Sequence, residues 1–319
     1  MKRSVFYGFV ALFFSGLGLT TLSAQSNHDI SAAQVDQWMQ DLSNWGRWGA
    51  NDELGTLNLI TNEKRIEATQ LVRSGVSVSL AHNYTVDRSL DDPLPFDQVV
   101  TSLNQGVEAV MERVSFSYHG GIHSHLDSLC HVLKNNQMYN GYTADEVTAA
   151  GCQRLDITGV KEGILTRGVL LDIAKLKGVD YLQPGYRVTV ADLEAWETMA
   201  GVKVGSGDAM LFRWGRWARR EAEGSFDTWE EAAGLDNNVI PWLRERDISI
   251  LGWETPGYTP RPAGDLPTLA LHDFALTMLG IHLIDRSDLD ALAAMAAVQN
   301  RWEFMLTIAP LPIPNGTGS

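Results

Sequence analysis

The segment Tyr118-His119-Gly120-Gly121-Ile122-His123-Ser124-His125-Leu126-Asp127-Ser128-Leu129-Cys130-His131 constrains this chain more than any other, because four of its eight histidines fall within it. In an extended backbone, side chains alternate between faces, so positions 123, 125 and 127 share one face. Two imidazoles and a carboxylate then converge, a donor set suited to Zn²⁺ or Mn²⁺. Gly120 and Gly121 let the backbone turn close to an ion. His131, four residues past Asp127, can fold back as a general base. These groups could instead form a satisfied structural network or a surface strand. Burying so many ionisable side chains without a role is costly, which favours the metal reading.

The other end-marking feature is the start of the chain. Lys2 and Arg3 precede an apolar run from Val5 to Leu19, and the small residues Ser23 and Ala24 follow. This is the layout of a secretory signal over residues 1–24 with cleavage near Ala24, leaving a single domain over 25–319 in the periplasm or outside the cell. The alternative is a retained anchor, since the run is near the lower length limit for a span. No later segment is a long uninterrupted apolar run, so no membrane association is expected after cleavage. The formal charge of −14 becomes more negative still without Lys2 and Arg3, which argues against nucleic acid as a partner. Cys130 and Cys152 could pair in an oxidising compartment, or Cys130 could be a small buried residue within the cluster.

Short strands interleave with helices along the rest of the chain, which indicates an α/β or α+β class. Helices are expected over Ala32–Leu42, Asn62–Ser74 (with Thr61 as N-cap), Val190–Met199 (with Thr189 as N-cap), Leu271–Gly280 and Leu289–Val298. Strands are expected over Ser77–Tyr84, Arg113–Tyr118, Gly168–Ile173, Gly207–Gly215 and Ile248–Gly252. The loop Asn44–Thr61 carries Trp45 and Trp48, which either plug a packing loop or wall a pocket for a flat or aromatic substrate. His28 and His82 stand apart from the cluster and are read as structural or surface residues.

His125-Leu126-Asp127-Ser128-Leu129-Cys130-His131 resembles the second half of the HxGTHxDxPxH signature of the cyclase/kynurenine formamidase-like metal-dependent hydrolases, a family that includes the isatin hydrolases. WGRWGANDELGTLNLIT, GDAMLFRWGRW and RWEFMLTIAPLPIPNGTGS, in that order, resemble the entry segment, central strand and final segment of its larger members. The resemblance implies that His125 and Asp127 are metal ligands and that His131 is the proton shuttle. The family's first ligand falls on Gly121, which has no side chain to bind with. His123 is the preferred substitute on strand parity; His119 has the same parity and could enter through a bulge at the two glycines. The signature's proline is replaced by Leu129. The remaining ligands fall on His272 and Asp285, with His282 incidental.

The resemblance further implies an α/β fold of the swivelling β/β/α type, with a small barrel-like β core and outer helices, assembled as a homodimer or higher homo-oligomer. It implies one or two divalent ions and hydrolysis of an amide, formamide, lactam or lactone bond in a small molecule. Two alternatives stand beside this: a metal-dependent cyclase or lyase, and an exported metal- or solute-binding protein without turnover. The spare base at His131 counts against the last.

Overall fold

The computed structural model describes Met1 and residues 30–101, 109–256 and 271–319. Apart from Met1, the expected signal segment lies outside the described residues, as does His28. No helix among the described residues is long and apolar enough to cross a membrane.

The first described helix, α1 (Ala32–Asp41), starts where the Ser31 hydroxyl accepts the Gln34 N–H at 3.2 Å. Its Val35, Trp38 and Met39 pack against the core. Helix α2 (Asn62–Thr69) is capped by Thr61 but stops before Ser74. Only Ala68 of this helix is buried, and Val72 beyond it is half exposed, so a longer helix would bury little more apolar surface. The expected strand Ser77–Tyr84 forms no ladder. Val78 and Leu80 pack inward as the alternation requires, yet this stretch has no strand partner among the described residues. The Leu80 carbonyl instead accepts one N–H, from Asp288, at 2.7 Å.

Strands β1 (Asp97–Val100) and β2 (Glu112–Ser115) form an exposed antiparallel pair. The main sheet contains β3 (His125–Asp127), β4 (Ile164–Asp172), β5 (Ala209–Arg213), β6 (Ile250–Trp253), β7 (His282–Asp285) and β8 (Glu303–Ile308), in the order β8-β4-β5-β6-β7-β3. The four central strands run parallel, and the two edge strands pair antiparallel. Strands β5, β6 and β7 are buried on both faces, with only Arg213 partly exposed, as their apolar runs require. The helices of this mixed α/β fold include α3 (Val190–Ala200), α4 (Arg216–Glu223), α5 (Leu271–Phe274) and α6 (Asp290–Gln299), with short turns of helix at Ile173–Lys177 and Ile240–Glu245. The expected helix Leu271–Gly280 is α-helical only through Phe274 and continues as a π-turn over Ala275–Leu279. Gly280 ends it at φ 68°, where a side chain would also strike the Tyr139 ring.

The main sheet is open in its ladder order, but its edges approach each other. Residues of β8, β7 and β3 line one cavity of about 710 Å³ on the Leu126 face. After β8 the chain crosses back to β3: Leu126 and Ser319 exchange backbone hydrogen bonds of 2.8 and 3.0 Å, and the Ser128 N–H donates to the Thr317 carbonyl at 3.0 Å. The barrel-like core implied by the family resemblance takes this form.

Candidate metal centre

Strand β3 supplies the middle of the site. His125 and Asp127 alternate with Leu126 along the strand, all three are buried, and His125 and Leu126 both border the cavity. Across the ladder, His125 lies opposite Asp285 and Asp127 opposite Leu283. The start of α5 brings in His272, and the turns on either side of β3 bring in His119 and His131.

Asp127 is the hub. Its carboxylate is fully buried, and three imidazole nitrogens approach it: His119 Nδ1 at 3.2 Å, His125 Nε2 at 3.3 Å and His272 Nε2 at 3.3 Å. Neither carboxylate oxygen makes a well-formed hydrogen bond. A buried anion in this setting calls for a cation between it and the nitrogens. Two groups of ligand atoms gather closely around it, His119 with His125 and Asp127, and His131 with His272 and Asp127. Asp285 lies 3.8 Å from His272 Nε2 and accepts the indole N–H of Trp253.

The charges report the same demand. Burial opposes ionisation of Asp127, but His125, His119 and His272 outweigh it and hold the carboxyl well below its ordinary range. Burial lowers His272, yet Asp127, Asp273 and Asp285 raise it to about 10. Asp285 moves the other way, raised by burial and by the Asp127 charge. Burial pushes His131 down to about 4, against the pull of Asp127. The His125 Nδ1–H donates to the His123 carbonyl at 2.8 Å, which leaves Nε2 facing Asp127. That arrangement, a ring fixed by its far nitrogen, suits a metal ligand.

His123 stands apart from the group around Asp127. Parity applies along β3 only; residues 119–123 form a turn, with Gly120 at φ 89°. His119 therefore reaches Asp127, while the His123 ring turns toward Asp92, with Nε2 3.8 Å from its carboxylate. There it sits among Tyr84, Phe96 and Phe116, its ring 4.6 Å from that of Tyr84. These aromatics and Tyr118, which stacks 6.4 Å from His125, form the aromatic surroundings of the centre. Trp45 is a packing residue: its indole donates to the Thr277 carbonyl at 2.7 Å, and Trp48 lies under the Arg47 guanidinium. His282 is buried and pushed down to about 4, and His82 pairs with Asp288 and stacks on Trp217.

The question left open for the cysteines is resolved. Cys130 and Cys152 form a disulfide, with Cα atoms 6.4 Å apart, tying the turn before His131 to the short strand Gly151–Cys152. Two further residues escaped the sequence reading: Thr317, whose hydroxyl lies 3.0 Å from His119 Nε2, and buried Glu254. Thr317 lies 198 residues from His119, and no local pattern announces such a contact.

An open α/β sheet with a buried His/Asp centre at its edge defines a protein able to hold a divalent ion. The chain belongs to the Cyclase family, whose profile matches residues 22–260. A crystal structure described as a novel cyclase is 26% identical, covers 88% of this chain and 96% of its own, and superposes with a TM-score of 0.75. Isatin hydrolase A from Labrenzia aggregata, bound to benzyl benzoate, is 20% identical, covering 76% of this chain and 90% of its own at a TM-score of 0.53. Isatin hydrolase A from Ralstonia solanacearum is 18% identical, covering 76% and 88% at a TM-score of 0.50. The two isatin hydrolases share the fold with this chain. No curated protein matches the sequence.

Proposed function

We propose that this chain is a metal-dependent hydrolase that cleaves an amide, formamide, lactam or lactone bond in a small molecule. The observation that carries the reading is the Asp127 carboxylate, fully buried and faced by three imidazole nitrogens at 3.2–3.3 Å. The donor set fits Zn²⁺ or Mn²⁺, with His119, His125 and Asp127 as one ligand group and His272 and Asp285 beside it. When bound, such an ion supplies Lewis acidity, making water a nucleophile at neutral pH and polarising a carbonyl.

The chain's own residues supply the rest. His131 is neutral near pH 7, because burial holds it down at about 4, and its place beside Asp127 makes it the proposed proton acceptor. It is partly exposed, as is His119, so this pair forms the accessible side of the centre. Tyr118 and Phe116 flank the approach with aromatic faces suited to a flat substrate. The disulfide suits an exported chain in an oxidising compartment, in keeping with the signal-like start.

Two measurements on one sample test the proposal: metal content by mass spectrometry, and turnover of a panel of formamides, lactams and lactones in ¹⁸O-labelled water. The expected result is about one or two divalent ions per chain and label in the acid product. Turnover without label would replace hydrolysis by lyase or cyclase chemistry. A chain purified without metal that also gains none on incubation would remove the reading.

A further inference from the structure

We infer that the segment 317–319 is a working part of the metal centre, and that Thr317 is the positioning residue that aims His119 at the ion. The inference rests on the metal reading above and adds to it a residue from the far end of the sequence.

Three observations converge on this segment. The Thr317 hydroxyl lies 3.0 Å from His119 Nε2, while Nδ1 of the same ring faces Asp127 at 3.2 Å. One nitrogen is thus occupied by the hydroxyl and the other is turned to the carboxylate. Thr317 is itself fixed, since its carbonyl accepts the Ser128 N–H at 3.0 Å, one residue past the Asp127 ligand. Gly318 then passes so close that an added Cβ would stand 2.7 Å from the Leu126 carbonyl oxygen and 3.2 Å from the His119 ring. Ser319 completes the contact by pairing with Leu126. The segment therefore runs along β3 and presses the Thr317 hydroxyl against His119, a proposed ligand that stands on the turn before β3.

The chemistry requires such a partner. His119 stands on a turn, with no strand ladder to hold its ring, and only a ring whose Nδ1 is unprotonated can ligate. With the Nε2 proton donated to Thr317, the ring is held with its bare Nδ1 aimed at Asp127. A hydroxyl can reverse its role, donating to Nε2 when the proton sits on Nδ1, so the contact persists with and without an ion. A valine at 317 keeps the shape and loses both options.

The test uses the full chain with Thr317→Val, Thr317→Ser and Gly318→Ala. Zn²⁺ affinity is measured by competition with a chromophoric chelator, and imidazole ¹⁵N shifts are recorded with and without Zn²⁺. Thr317→Val is expected to weaken Zn²⁺ binding about 10–100-fold, with Thr317→Ser restoring most of it. Gly318→Ala, which crowds the same ring, should also weaken binding. In the loaded wild type, His119 should carry its proton on Nε2. Wild-type affinity in Thr317→Val overturns the inference, and so does equal weakening in Thr317→Ser, which would assign the effect to packing. A wild-type chain that binds no Zn²⁺ would instead remove the metal reading. The metal-free spectra then decide alone: the His119 Nε2 shift moves in Thr317→Val if the contact positions the ring, and stays put if it does not.

Discussion

The imidazoles of His119 and His131 lie face to face, with ring centroids 3.7 Å apart and planes inclined by only 7°. Two rings stacked this closely resist carrying two positive charges, and the repulsion adds to the burial that depresses His131. One ring turns an edge nitrogen to Asp127, and the other stands over it as the accessible proton acceptor. Removing each ring therefore has a different result. His131→Ala should keep the ion of the His119 group and lose about 10²–10⁴ in turnover, whereas His119→Ala should lose metal and activity together. Metal content and rate measured on the same samples separate the two. Loss of one of two ions in His131→Ala would make His131 a ligand of a second ion shared through Asp127.

His123→Ala gives the complementary result. The ring faces Asp92 and an aromatic cluster, away from Asp127, so the variant should retain its metal. A metal-free His123→Ala protein with an intact fold would restore His123 as a ligand.

Asp127→Asn keeps the volume of the hub and removes its charge. Most of the bound metal should be lost, because a neutral amide replaces the one anionic ligand of both groups. Full metal content by mass spectrometry in this variant would contradict the assignment.

The Cys130–Cys152 bond closes a loop with a sequence separation of 22. Reduction should lower unfolding stability by about 3 kcal/mol on the loop-entropy estimate. Denaturant melts with and without a phosphine reductant measure it; coincident curves would mean the bond contributes nothing.

Glu254 offers a pH test away from the metal. Its Oε2 accepts the N–H groups of Trp214 and Gly215 at 2.8 Å and of Arg216 at 3.3 Å, at the start of α4. Burial nevertheless pushes its carboxyl up from 4.5 to about 7. An acid raised on folding holds its proton more tightly in the native state. The added stability is complete below about pH 4.5 and disappears as pH climbs through about 7, a span of roughly 3 kcal/mol. The stability difference between wild type and Glu254→Gln should therefore change by that order between pH 4.5 and 8. A constant difference would show that Glu254 does not titrate in this range.

The histidine cluster was legible because ligand chemistry concentrates rare residue types in a short span. The helices with clear caps, such as α3 behind Thr189, were legible for the same local reason. The placement of His119 and His123 was not, since parity rules fail once the backbone leaves the strand, and the turn at Gly120 sends His119 toward Asp127 and His123 toward Asp92. The alternation after Ser77 described the inward packing of Val78 and Leu80 but could not reveal that no strand among the described residues pairs with it. Thr317 and Glu254 depend on contacts between distant segments, which no window of sequence contains.

Strand β3 is only three residues long, and it lies between β7 and the 317–319 segment with a fixed register on each side. A slip of one residue in either pairing would turn Leu126 to the face where His125 and Asp127 belong. On the proposed reading of the centre, an ion would therefore reward only a chain whose edge has zipped in this register, because only that chain presents the donors together.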